Sequence, residues 1–190
     1  MGKKVNKLNL GCGKKPISGF INVDINKGEG VDVICNLNEF PYPFETNSFE
    51  YIKLINVLEH LNEPVKVLEE LHRISKPNGI LEIIVPHYSG QIAWNEPSHI
   101  RPYGLTTWLS YDIENRERSD SLLNSDTNIL FKIKTTPLMF WGWRMIGLKW
   151  LATKFPYFYE SILTYIFQIG GIKWDLKVLK DIEKKIPQSK

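Results

Sequence analysis

The chain has 190 residues, 43% hydrophobic and 24% charged, which excludes fibrous and disordered classes and predicts one globular domain with a self-sufficient core. Only two cysteines are present, Cys12 and Cys35, with no CxxC spacing. A disulfide framework and a cysteine-based metal module are therefore excluded, and a reducing cytoplasm is the expected location.

The net charge of +3 conceals an asymmetry. Residues 1–136 carry 15 Lys/Arg against 17 Asp/Glu, whereas 137–190 carry 9 against 4 and hold four of the six tryptophans. The basic start from Met1 to Lys7 is not followed by a long apolar stretch, so no signal peptide is expected. No nucleic-acid partner is expected either.

In chain order, Val5–Leu10 predicts a buried strand that ends in Gly11-Cys12-Gly13, a turn with no Cβ at two of its three positions. Phe20–Val23 predicts a second strand with Asp24 at its tip. A glycine turn at one strand tip beside a carboxylate at the next is a geometry suited to a nucleotide-type cofactor, the acid accepting from a ribose diol. Val31–Leu37 predicts a third strand and Phe49–Ile55 a fourth. A helix follows, with Asn62 as N-cap, Pro64 in the first turn and Val67, Leu68, Leu71 and Ile74 on one apolar face. Lys76-Pro77-Asn78-Gly79 stops it, and Ile80–Val85 predicts a fifth strand ending at Pro86. Strands separated by helices argue for a parallel sheet covered on both faces.

The last third reads differently. Phe131–Thr135 and Ile172–Val178 alternate apolar and polar residues, the pattern of strands at a sheet edge. Between them, 137–170 predicts two helices split at Pro156. This aromatic, net basic insert includes Trp141, Trp143 and Trp150. Arg144, Lys149, Lys154 and Glu160 interrupt it, so it cannot span a membrane. Three roles are open to it: ordinary core or lid, a patch meeting lipid or a lipid-linked substrate at the membrane periphery, or a homodimer interface.

Four features together resemble the class I S-adenosylmethionine-dependent methyltransferases, in the group that modifies small molecules, lipids and glycans. They are Leu8–Gly13; Asp24 after the second strand; Tyr42-Pro43-Phe44-Glu45-Thr46-Asn47-Ser48-Phe49-Glu50; and Val57-Leu58-Glu59-His60-Leu61, followed one helix later by Lys76-Pro77-Asn78-Gly79. The resemblance implies a doubly wound α/β fold: a mostly parallel, seven-stranded Rossmann-like sheet with an antiparallel edge strand and a helical insert near the C-terminus. It implies one methyltransferase domain over 1–190, with a cofactor-binding half (1–88), a substrate loop region (89–136), the aromatic insert (137–170), and a last strand and tail (171–190).

S-adenosylmethionine is the cofactor that follows. Leu10, Gly11, Cys12 and Gly13 would pass beneath its methionine part, Asp24 would accept from both ribose hydroxyls, Asn36 and Leu37 would face the adenine, and Asn56 would sit beside the methionine amino group. Three departures stand out. Asn9 and Asn36 occupy positions where the family commonly has acids. The segment from Gly13 to Asp24 is too short for the usual helix and leaves about one turn around Pro16, which also disfavours a dinucleotide site, whose acid lies about twenty residues on.

His60 reads as structural. After the fifth strand, His99 and His87 are candidate bases toward a small or lipid-linked acceptor, with Tyr88 and Arg101 as substrate contacts. No ligand cluster accompanies these histidines in the sequence, so no metal is expected. Two other classes stay open: an NAD(P)-dependent oxidoreductase on a similar sheet, and a non-catalytic scaffold that keeps the fold.

Overall fold

The computed structural model describes residues 6–115, 129–139 and 146–180. Seven strands, β1 (Lys7–Leu10), β2 (Ile21–Asp24), β3 (Val33–Ile34), β4 (Phe49–Ile55), β5 (Ser75–Pro86), β6 (Leu130–Met139) and β7 (Ile169–Leu179), form one sheet in the order β3-β2-β1-β4-β5-β7-β6. β1 to β5 run parallel, and β7 is antiparallel to both neighbours. The antiparallel strand therefore lies second from the edge, with β6 outside it.

Central strands of a parallel sheet are covered on both faces and read as near-continuous buried runs. Leu8, Asn9 and Leu10 are all buried, and so are Asn22 and Val23. Asn9 survives inside because its amide donates to Asn22 Oδ1 at 2.9 Å. β7 keeps the period-two pattern: Ile172, Trp174, Leu176 and Val178 are buried, with Lys173, Asp175 and Lys177 between them. Among the described residues Trp174 is the largest fully buried side chain, and it meets Tyr103 and Trp108 edge-on.

The helix α1 (Pro64–Ile74) buries the predicted face of Val67, Leu68, Leu71 and Ile74. Its cap is Glu63 rather than Asn62. Pro64 takes the first helical position and its ring keeps the preceding residue out of the helical region, so the boundary falls one residue later. β3 is reduced to two residues, where seven were expected. Between β1 and β2 there are hydrogen-bonded turns on either side of Pro16, Lys15 to Cys12 and Phe20 to Ile17, and no helix.

A short helix α2 (Ile92–Asn95) follows β5, and α3 (Ile146–Lys154) and α4 (Pro156–Ser161) precede β7. The split at Pro156 is as expected. The helical insert is narrower than 137–170, because Pro137–Met139 belong to β6 and Ile169–Gly170 to β7. Trp141, Trp143 and Arg144 lie outside the described residues.

Candidate cofactor and acceptor site

In an open α/β sheet the ligand crevice opens at the carboxyl ends of the strands, where the strand order reverses. Here that point lies between β1 and β4, because β1 hands the chain on to β2 at one side while β4 pairs on its other side. Register places Leu10 beside both Val23 and Leu54, so the tips of the first, second and fourth strands end together.

The glycine turn is built for that position. Gly11 has φ +65°, and a Cβ there would stand 2.4 Å from Val57 Cγ2. Backbone and wall both demand glycine. Cys12 donates its N–H to Val23 O at 2.9 Å, and its thiol is pushed up by burial and then by the Asp24 charge, so it is no nucleophile. Gly13 has φ +52°, and no atom lies within 4 Å of a Cβ built on it. This opening is the space that a ligand crossing the turn would use.

Asp24 joins the two strand tips. Its Oδ2 accepts the Gly13 N–H at 2.8 Å and its Oδ1 the Asn26 N–H at 3.0 Å. A carboxylate has about four acceptor positions, so each oxygen keeps one for a ligand hydroxyl. Asn36 ends the β3 region: its Oδ1 accepts from Asn38 N–H, and its Nδ2 donates to Glu39 Oε1 at 2.8 Å. An exposed acid therefore stands beside the amide that occupies the expected acidic position. Leu37 is buried and accepts the Tyr42 hydroxyl. Asn56 is exposed at the tip of β4 with φ +51°.

The two candidate histidines have different surroundings. His87 is fully buried. Its Nδ1 accepts from Ser89 N–H, and its Nε2 donates to Glu160 Oε1 at 3.0 Å. Glu160 also accepts from Leu105 N–H and the Thr106 hydroxyl, while Tyr88 donates its hydroxyl to Glu160 O. Both ring nitrogens of His87 are thus engaged inside a knot that ties α4 to the loops after β5. In this arrangement His87 fixes the knot, with no lone pair turned toward an acceptor.

His99 lies on the loop after α2. Ile100 N–H donates to Glu59 O at 2.8 Å, and this bond fastens the loop to the 3-10 turn Leu58–His60 that follows β4. His99 Nε2 then lies 3.9 Å from Glu59 Oε1, and the His60 and His99 rings meet edge-on at 4.8 Å. Glu59 is 1% exposed with no hydrogen-bond partner on either carboxylate oxygen, and burial pushes its carboxyl up. The expectation that no ligand cluster accompanies the histidines is therefore corrected: Glu59, His60 and His99 come together.

Arg101 donates to Asn62 O at 2.6 Å. It lines a shallow depression of about 420 Å³ with Asn62, Glu63 and Val65, beside the start of α1 rather than over the glycine turn. Sequence reading missed Glu39, Glu59 and Glu160. For Glu59 a signal existed, since it is a lone acid inside the apolar run Val57–Leu61.

A methyltransferase-domain family model matches residues 8–83. A demethylmenaquinone methyltransferase from Geobacillus stearothermophilus is 33% identical over 75 residues, which cover 40% of this chain and 28% of that protein. The matched stretch is thus little more than a quarter of the curated relative's length. Among solved structures, a SAM-dependent methyltransferase from Archaeoglobus fulgidus has a TM-score of 0.59 at 14% identity, covering 90% of this chain and 85% of that one. A putative methyltransferase in complex with the Haloferax volcanii Trm112 methyltransferase activator gives 0.53 at 15% identity, over 92% and 82%. These structural likenesses concern the fold. Over residues 8–83 the chain is thus similar to methyltransferase domains, and its fold is that of solved S-adenosylmethionine-dependent methyltransferases.

Proposed function

We propose that the protein transfers a methyl group from S-adenosylmethionine to a small acceptor. The observation that carries this reading is the pairing of an open glycine turn at Gly13 with the Asp24 carboxylate at the switch point of the sheet. The residues fit the cofactor: Gly13 leaves the space above the turn clear, Asp24 keeps acceptor positions for a ribose diol, and Glu39 offers beside Asn36 the charge that the amide lacks. When bound, S-adenosylmethionine supplies a methyl already activated on a sulfonium. What falls to the chain is alignment and exclusion of water. The loop carrying Tyr88, His99 and Arg101 lies toward the acceptor side, with His99 the imidazole left for it.

The acceptor we favour is apolar or lipid-linked. Trp150, Phe155, Tyr157, Phe158, Ile162, Tyr165 and Ile166 are all at least half exposed around α3 and α4, an apolar surface larger than isolated exposed side chains require. Among the described residues no helix is long and apolar enough to cross a membrane, so this surface would meet lipid from one side only.

Thermal melting tests the cofactor reading. At about a hundredfold excess over its dissociation constant a native-state ligand adds about 2.7 kcal/mol. S-adenosylhomocysteine should raise the melting temperature and NAD should not. Asp24→Ala should cost about 2–4 kcal/mol of that binding, because two charge-assisted hydrogen bonds are lost. A shift with NAD alone, or an unchanged affinity in Asp24→Ala, would overturn the reading.

A further inference from the structure

We propose that Glu59, His60 and His99 form a binding site for a divalent transition-metal ion of the zinc class, with one coordination position left open. Three observations carry it. One donor atom from each residue lies within 4.8 Å of the other two, with His99 Nε2 and Glu59 Oε1 at 3.9 Å. Around zinc bound at about 2.0–2.1 Å, donor atoms stand roughly 3.3–3.6 Å apart, so small side-chain rotations close the site.

The second observation is the tautomer of both rings. His99 Nδ1 faces Ala93 O at 3.2 Å, and His60 Nδ1 faces Ser98 O at 3.1 Å. A carbonyl oxygen only accepts, so each Nδ1 carries a proton, and in the neutral ring each Nε2 presents its lone pair. Backbone carbonyls that fix the far nitrogen are the usual support for metal-ligating histidine.

The third is Glu59. Both carboxylate oxygens are buried and unpartnered at 1% residue exposure, with the two histidines as close neighbours. A buried polar group without a partner is costly. With the carboxyl ionised and both rings neutral, the three groups present only electron pairs to one another. A bound cation satisfies all three at once. Two histidines and one carboxylate are also a donor set that zinc, iron and cobalt accept with a position to spare.

Sequence alone could not assemble this site, because His99 reaches the turn through bonds between distant loops, Ile100 to Glu59 and His60 to Ser98. The open position would take water or an acceptor oxygen. That last role rests on the methyl-transfer reading; ion binding does not. In this arrangement His99 serves the acceptor through the ion rather than as a free base.

The test is zinc titration by calorimetry of the full chain after dialysis against a chelator, repeated with cobalt to read its visible ligand-field bands. The wild type should bind one equivalent. Glu59→Gln should weaken binding at least tenfold, as should His60→Ala, which removes a half-exposed ring and spares the fold if Glu59→Gln does not. Both variants should keep the melting shift with S-adenosylhomocysteine. Failure of the wild type to bind zinc more tightly than about 1 mM, or equal binding by His60→Ala, overturns the site. Because the titration contains no cofactor, either outcome leaves the methyltransferase reading to be judged by its own melting test.

Discussion

Replacing Gly11 and Gly13 by alanine, one at a time, should produce two different failures. At Gly11 the penalty is structural. Forcing a Cβ into φ +65° costs about 1–2 kcal/mol. The new methyl would also stand 2.4 Å from Val57 Cγ2, and overpacking of that kind costs typically about 1–3 kcal/mol more. Together these give roughly 2–5 kcal/mol, or a melting temperature lower by about 5–20 °C for a domain of this size. Val57→Ala in the Gly11→Ala background should recover the packing share and leave the backbone share. At Gly13 there is no wall, since nothing lies within 4 Å of the added carbon. Only the backbone share of about 1–2 kcal/mol is expected, but the methyl fills the opening above the turn. Gly13→Ala should therefore stay folded and lose most of the shift given by S-adenosylhomocysteine. Melting curves of the four proteins with and without that ligand decide the matter. A Gly11→Ala protein as stable as wild type would refute the packing argument. A Gly13→Ala protein with an undiminished ligand shift would show that the cofactor does not cross this turn.

Two further perturbations probe other parts of the molecule. Burial alone would raise the carboxyl of Glu82, but hydrogen bonds from Lys173, Lys53 and Tyr51 overturn that and hold it at about 2, below the ordinary value. A depressed folded value means stability present above the unfolded value near 4.3 and lost as pH falls through about 2. Glu82→Gln should cost about 2–3 kcal/mol at neutral pH in urea melts, and its deficit should shrink between pH 5 and 2; parallel loss in both proteins would refute this. The exposed aromatics make the second prediction. Phe158→Ser with Tyr165→Ser should reduce retention on anionic vesicles at low salt and keep the cofactor melting shift, whereas wild-type protein that ignores vesicles and sediments as a dimer would assign the surface to a second copy of the chain.

How far the sequence carries depends on how local the controlling interaction is. α1 was legible because its burial follows a fixed period, and the split at Pro156 because proline starts α4 directly. β3 was overread, since its apolar pattern hides two side chains that compete with the ladder. Asp32 Oδ2 accepts the Asn22 N–H at 2.7 Å, and Asn36 Oδ1 accepts the Asn38 N–H, closing a turn where the strand would have continued. The residues proposed for the cofactor rest on rules as local as those of helices. Gly11, Gly13 and Asp24 are set by backbone conformation and strand tips, and adjacent parallel strands bring those together automatically. The acceptor side has no such rule. His87 stood as a second candidate behind His99 until Glu160, 73 residues away, took its Nε2. Glu59 stood only as one letter of the run Val57–Leu61 until the loop to Ile100 folded His99 onto it. Each of those contacts joins loops whose lengths carry no period, and only the folded chain decides which histidine is spent on packing and which faces a buried carboxylate.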